Sequence, residues 1–193
     1  MSKQVFHNLA GKVLIASPYS RFNDVFHKSL IYILSHNSDG AIGLIVNHLM
    51  SRMSLKSLFN AAKISDQDLF IQDSFLPVYL GGPVEIERGF FLHSSEYNTN
   101  LLFQFHNGLA VSSSGDILKD IAVDKGPKNC LFIVGYTGWI AGQLEVELKN
   151  NFWLASECSP ELIFSETNDQ KWHAALKRLG VDDAHFIADI GHC

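Results

Sequence analysis

Residues 135–153 read Gly-Tyr-Thr-Gly-Trp-Ile-Ala-Gly-Gln-Leu-Glu-Val-Glu-Leu-Lys-Asn-Asn-Phe-Trp. Three glycines (Gly135, Gly138, Gly142) and two tryptophans (Trp139, Trp153) bracket a short amphipathic run, directly after the apolar stretch 130–134. A short apolar run ending in clustered glycines reads as a buried strand turning sharply into a helix, packed so closely that several positions tolerate no Cβ. The expected helix covers residues 140–150, burying Leu144 and Leu148 and exposing Glu145, Glu147 and Lys149. This block sets architecture before it says anything about activity.

The rest of the chain supplies short, frequent strand-like runs at 12–16, 30–35, 41–47, 77–80, 89–93, 109–112 and 152–155. Asn37-Ser38-Asp39-Gly40 lies between two of them, a turn tetrad that predicts an antiparallel hairpin. Gly81-Gly82-Pro83 predicts a second tight reversal and a second antiparallel pair. Helix starts are signalled by Ser54, by Ser114 and by a Thr167/Gln170 capping box, and Ser159-Pro160 opens a very short helix. Gly180 ends the Thr167 helix, and Gly126-Pro127 ends the Ser114 one. Hairpins early and strand–helix alternation late predict an α+β fold, a single domain over 1–193 with a mixed, mostly antiparallel sheet and four or five helices.

Length and composition agree with one domain: 193 residues, 47% hydrophobic and 18% charged. No run approaches the roughly 20 apolar residues of a membrane span, and the N-terminus does not read as a secretory signal. Three cysteines (Cys130, Cys158, Cys193) without a CxxC pair fit a reducing compartment, so a cytoplasmic location is expected. Net charge is −5. Residues 1–96 carry 8 basic against 8 acidic side chains, and residues 97–193 carry 7 against 12. Because phosphate neutralisation dominates nucleic-acid affinity, this balance disfavours strong DNA binding. One basic stripe, Arg52, Lys56 and Lys63, falls beside the expected Ser54 helix and reads as a solvated face.

Chemical motifs are sparse. The glycine turn before Ile140 could present helix N–H groups to an anion, but it lacks a phosphate-binding lysine and the dinucleotide glycine spacing. Packing is the stronger reading. The second candidate is Gly81-Gly82-Pro83-Val84-Glu85 with Arg88 and His93, where Arg88 either grips an anion bidentately or pairs with Glu85 or Glu87. Gly81, Gly82, Arg88, His93, Gly138 and Gln143 therefore form the candidate binding set. Nine histidines show no HExxH, HxH or His–Cys spacing, so no metal site is expected. No GxSxG elbow is present, and Ser112-Ser113-Ser114 reads as a helix cap. Cys158 precedes a helix start, but Glu157 and Glu161 oppose thiolate formation.

Taken together, the segments resemble the AlgH/YqgE family of bacterial proteins. The matching stretches are residues 11–16, 26–30, 36–47, 81–84, 88–93, 135–153 and the closing Gly191-His192, with Cys193 at the end. The resemblance implies a sheet folded into a pseudo-barrel with helices outside. It implies no established biochemical activity and no catalytic set. One branch is named for a link to transcriptional control of exopolysaccharide (alginate) synthesis, so the implied role is a regulatory or interaction protein. No cofactor is expected, and a protein partner is favoured over nucleic acid. The alternative reading is a small-molecule or nucleotide-binding protein, or a weak enzyme, using the glycine turns and Arg88.

Overall fold

The computed structural model describes residues 8–20, 25–65 and 75–181. Gly191-His192 and Cys193 lie outside the described residues. In chain order the elements are β1 (Lys12–Ala16), β2 (Leu30–Asn37), β3 (Gly40–Ile45), β4 (Leu49–Ser54), α1 (Leu55–Ala61), β5 (Phe75–Leu80), β6 (Val84–Ser94), β7 (Leu101–Gln104), β8 (Leu109–Ser112), α2 (Asp116–Ala122), β9 (Cys130–Ile140), α3 (Gln143–Lys149), β10 (Trp153–Glu157), α4 (Pro160–Phe164) and α5 (Gln170–Arg178).

The strands join in the order β10-β1-β2-β3-β9-β6-β8-β7, with β5 also on β9 and β4 on β5. All these pairings are antiparallel except β5–β9. The fold is α+β, a curled half-barrel sheet with, among the described residues, five helices packed on it. Alternation along the strands gives the sheet two apolar faces. Val13, Ile15, Leu30, Tyr32, Leu44, Leu92 and Ile133 point to one side, against Leu162 and Ile163 of α4 and Trp172 and Leu176 of α5. Leu14, Ile31, Ile33 and Ala41 point to the other, under Leu144 of α3. Farther along that second face Phe91 lies under α1 and α2. Burying each such aliphatic side chain is worth about 1.5–3 kcal/mol, so sandwiching the sheet between helices is the dominant stabilising term.

Local signals explain most helix ends. Ser54 caps α1 by accepting the Ser57 N–H at 3.1 Å. Pro160 sits in the first turn of α4, where its missing N–H costs nothing. At the end of α5, Gly180 has φ +71 and donates to the Lys177 carbonyl while Val181 donates to that of Leu176. That is the Schellman arrangement, and its left-handed residue is the expected glycine.

Several expectations are corrected. Residues 77–80 and 89–93 do not pair with each other: β9 lies between them, parallel to β5 and antiparallel to β6. The strand at 130 does not turn at Gly135 but continues through Gly138 to Ile140, and the helix begins only at Gln143. Thr167 and Gln170 form no capping box: Asp169 holds the cap position, and no side chain caps the helix. Gly115 is the cap residue of α2, although the Ser114 hydroxyl still accepts the Asp116 N–H at 3.2 Å. β4 and β7 have no counterpart in the sequence reading. Arg52 lies on β4, so the basic stripe does not belong to one helix.

Candidate functional site

The centre of the sheet is a main-chain crossing made possible by glycine. A Cβ on Gly81 would sit 2.3 Å from the Gly135 carbonyl oxygen, and one on Gly82 would sit 2.3 Å from that of Tyr136. One on Gly135, where φ is +71, would sit 2.6 Å from the Gly82 oxygen. The exposed main chain is then used: the Gly81 carbonyl accepts the Ile45 N–H at 2.9 Å and the Thr137 hydroxyl at 3.2 Å. Gly81 itself donates to the Val134 carbonyl at 2.8 Å. Gly81 and Gly82 serve contact between backbones.

Gly135 also resets which way β9 faces. Val84 pairs with Tyr136 and Gly89 with Val134, so residues 85–88 bulge out opposite a single residue. Before the bulge Leu131 and Ile133 face the α4/α5 side; after it Tyr136 faces that side and Trp139 the α3 side. Side-chain parity inverts across Gly135. Gly138 and Ile140, two and four residues beyond Tyr136 on the strand, therefore lie on the same side as Tyr136. Opposite Gly138 in register is Ile42.

The result is a shallow groove of about 390 Å³ lined by Ile42, Val84, Tyr136, Gly138 and Ile140, with Asn37 and Asp39 of the β2–β3 turn at its rim. No helix covers it. Ile140 is 76% exposed, and Ile86, two residues beyond Val84, is 61% exposed. At its border the Tyr136 hydroxyl donates to Glu85 at 3.1 Å, and Glu85 pairs with Arg88 at 3.2 Å. The bond to Glu85 raises the Tyr136 phenol pKa. Arg88 also lies 5.1 Å from the Phe90 ring centroid.

The six predicted residues are thus dispersed. Gly138 forms part of the groove, and Arg88 borders it through Glu85 and Tyr136. Gly81 and Gly82 lie at the crossing beneath. Gln143 caps the turn into α3: its carbonyl oxygen accepts the Ile140 N–H at 3.2 Å, and its amide donates to Glu147 at 2.8 Å. His93 is fully buried, edge-on to the Tyr97 ring. Its Nδ1 faces the Ser94 carbonyl oxygen at 3.0 Å, which makes Nδ1 the protonated nitrogen, and Nε2 accepts from the Ser112 hydroxyl at 3.0 Å. Burial lowers the His93 pKa, so the ring is a neutral acceptor. The pair has the geometry of nucleophile and base, yet Ser112 is as fully buried as His93, and no reactant can reach it.

The acidic residues of α3 are anchors, not an exposed face. Glu147 accepts the indole N–H of both Trp139 and Trp153, each at 2.7 Å. Glu145 lies 3.1 Å from His36 Nε2, while His36 Nδ1 accepts the Leu9 N–H at 3.3 Å. Burial pushes the Cys130 and Cys158 thiols up to about 12, so neither offers a thiolate. Among the described residues no group of three or more His, Cys, Asp or Glu is placed to hold a metal ion.

Residues 13–184 match the AlgH-like family, DUF179. The chain belongs to that family. Its AlgH-like relatives include UPF0301 proteins of Rickettsia canadensis (strain McKiel) and Rickettsia prowazekii (strain Madrid E), each 55% identical over the full length of both chains. The solution structure of the AlgH protein from Pseudomonas aeruginosa is similar throughout, with 34% identity, a TM-score of 0.75 and all of both chains covered. The crystal structure of protein DIP2367 from Corynebacterium diphtheriae shares the fold, with a TM-score of 0.68 over 92% of this chain and 90% of that one at 18% identity. The names of the Rickettsia proteins specify no activity.

The groove side chains Ile42, Val84, Tyr136 and Ile140 were not singled out from this AlgH-like sequence. Single aliphatic residues within strands read as core, and the parity change at Gly135 sets the side on which Tyr136 and Ile140 of β9 lie, beside Val84 and Ile42 of the flanking strands. A signal was present in Glu85-x-x-Arg88 followed by Gly89, an ion-paired bulge next to a glycine.

Proposed function

We propose that this protein is a cytoplasmic, non-enzymatic interaction protein that holds a protein partner in the apolar groove around Gly138. The observation that carries the reading is the contrast between that groove and the serine–histidine pair and cysteines among the described residues. Ile42, Val84 and Ile140 are aliphatic side chains presented to solvent around a side-chain-free floor at Gly138. The serine–histidine pair and Cys158 are closed off, and burial of the half-buried Cys130 raises its thiol pKa to about 12. A small apolar anchor on the partner, framed by the polar β2–β3 turn, fits such a surface. Regulation, in this reading, runs through a protein complex, and the acidic charge balance argues against direct DNA contact.

A photo-reactive phenylalanine analogue at position 140, used in the host cell, tests this. The expected result is a discrete protein adduct that disappears when Ile42→Glu is added, with the fold intact by circular dichroism. Absence of any adduct, combined with a thermal shift by nucleotides or phosphates that Arg88→Ala removes, would overturn the reading in favour of a small-molecule site. A gel shift with duplex DNA at micromolar protein is expected to be negative.

A further inference from the structure

We infer that the free edge of β4 is a strand-addition site for an acidic, extended segment of a partner protein, an interaction separate from the groove. Among the described residues β4 pairs only with β5, in the register Ser51↔Val78 to Ser54↔Phe75 beyond a shift near Leu49. Along its other edge no main-chain hydrogen bond is made among the described residues. Unpaired N–H and C=O groups in a row are a template for another strand, and sheets usually blunt such edges with buried charge, proline or a covering element. Among the described residues no strand pairs with this edge, and β4 presents Leu49 (46% exposed) and Met50 (58%) beside exposed Arg52.

Charge chooses the occupant. Residues 47–65 and 75–82 contain no aspartate or glutamate but do contain Arg52, Lys56 and Lys63, while Asp66, Asp68 and Asp73 fall in the sequence between them. No ion pair engages those three cations among the described residues. Pairing β4 with a second copy of itself would bring two like-charged sets together, which electrostatics disfavours. An extended segment that alternates acidic with β-prone side chains satisfies the open backbone and the cations together.

The probe is a capped peptide of alternating glutamate and threonine, about eight residues long to span one strand. It is titrated into the ¹⁵N-labelled full chain beside a lysine–threonine peptide and a backbone N-methylated copy of the acidic one. Saturating acidic peptide is expected to shift the amides of residues 49–53 and slow their hydrogen exchange about 10-fold or more, with affinity falling as salt rises. The other two peptides should do neither. Arg52→Glu with Lys56→Glu, both at exposed positions, should reverse the preference toward the lysine peptide. No shift in β4 at about 1 mM peptide, the weak end of specific binding, would overturn the proposal. So would an equal response to the N-methylated peptide, or concentration-dependent dimerisation that protects β4 without peptide. Binding that emerges only after Asp66, Asp68 and Asp73 are changed to asparagine would assign the edge to the chain's own linker and equally overturn it.

Discussion

Lys171 is the most telling place to perturb the core. It lies on α5 and is 1% exposed, with its ammonium 3.0 Å from the Val46 carbonyl oxygen, 3.2 Å from Asn168 Oδ1 and 5.2 Å from the Tyr79 ring centroid. These partners are neutral, so they compensate only part of the lost hydration. Burial lowers the Lys171 pKa from 10.5 to about 8. That gap corresponds to roughly 3 kcal/mol of penalty on the charged form. Below pH 8 the folded and unfolded chains both hold the proton, and the penalty is present in full. Between pH 8 and 10.5 the unfolded chain holds more protons than the folded one, so this residue's contribution makes stability rise with pH. The buried thiols work in the opposite direction above pH 9, since burial pushes them up to about 12. Comparison with Lys171→Met cancels that shared background. Denaturant unfolding of both proteins from pH 7 to 10 should show the wild type gaining about 2 kcal/mol on the variant by pH 9.5. A difference that stays constant within about 0.5 kcal/mol, near the limit of such measurements, would refute the reasoning. So would an NMR titration of the Lys171 ε-methylene with a midpoint near 10.5, the ordinary lysine value.

Two further outcomes follow from the same bonds and burial. Glu147→Ala removes the acceptor shared by two buried indoles and should cost about 2–4 kcal/mol in urea unfolding, whereas a loss under about 1 kcal/mol would show that the anchor contributes little. Cys130 and Cys158 should resist thiol-specific alkylation at pH 8 until the protein is unfolded, as read by peptide mass spectrometry; rapid labelling of either would contradict its burial.

Much of the architecture was legible where a local signal and a tertiary demand coincide. Residues 12–16 and 109–112 are apolar and mostly β-branched or aliphatic, and they form β1 and β8 with those bounds. Ser54 and Gly180 sit at helix ends because capping and left-handed backbone are properties of single residues. β4 was not legible: Leu-Met-Ser-Arg-Met-Ser has no β-branched residue and no buried alternation, and only pairing with β5 makes it a strand. The glycines misled in position more than in kind. Gly135 and Gly138 read as a turn, yet a strand accommodates the first as a bulge and the second as open floor. Glu145 and Glu147 read as a solvated face because nothing local shows His36, Trp139 or Trp153 waiting across the sheet. The candidate set gathered residues near glycine in sequence, whereas the groove gathers residues that pairing in the sheet brings together from three strands.

The central claim is that glycine in this chain serves contact between backbones. A matched series of alanine substitutions tests it most directly, with stability read by denaturant unfolding. Gly82→Ala and Gly135→Ala would each drive a Cβ into a carbonyl oxygen and should cost about 3 kcal/mol or more, or prevent folding. Gly138→Ala meets nothing nearer than 3.8 Å and should stay within about 1 kcal/mol of wild type. Equal, small losses at all three positions would contradict the account.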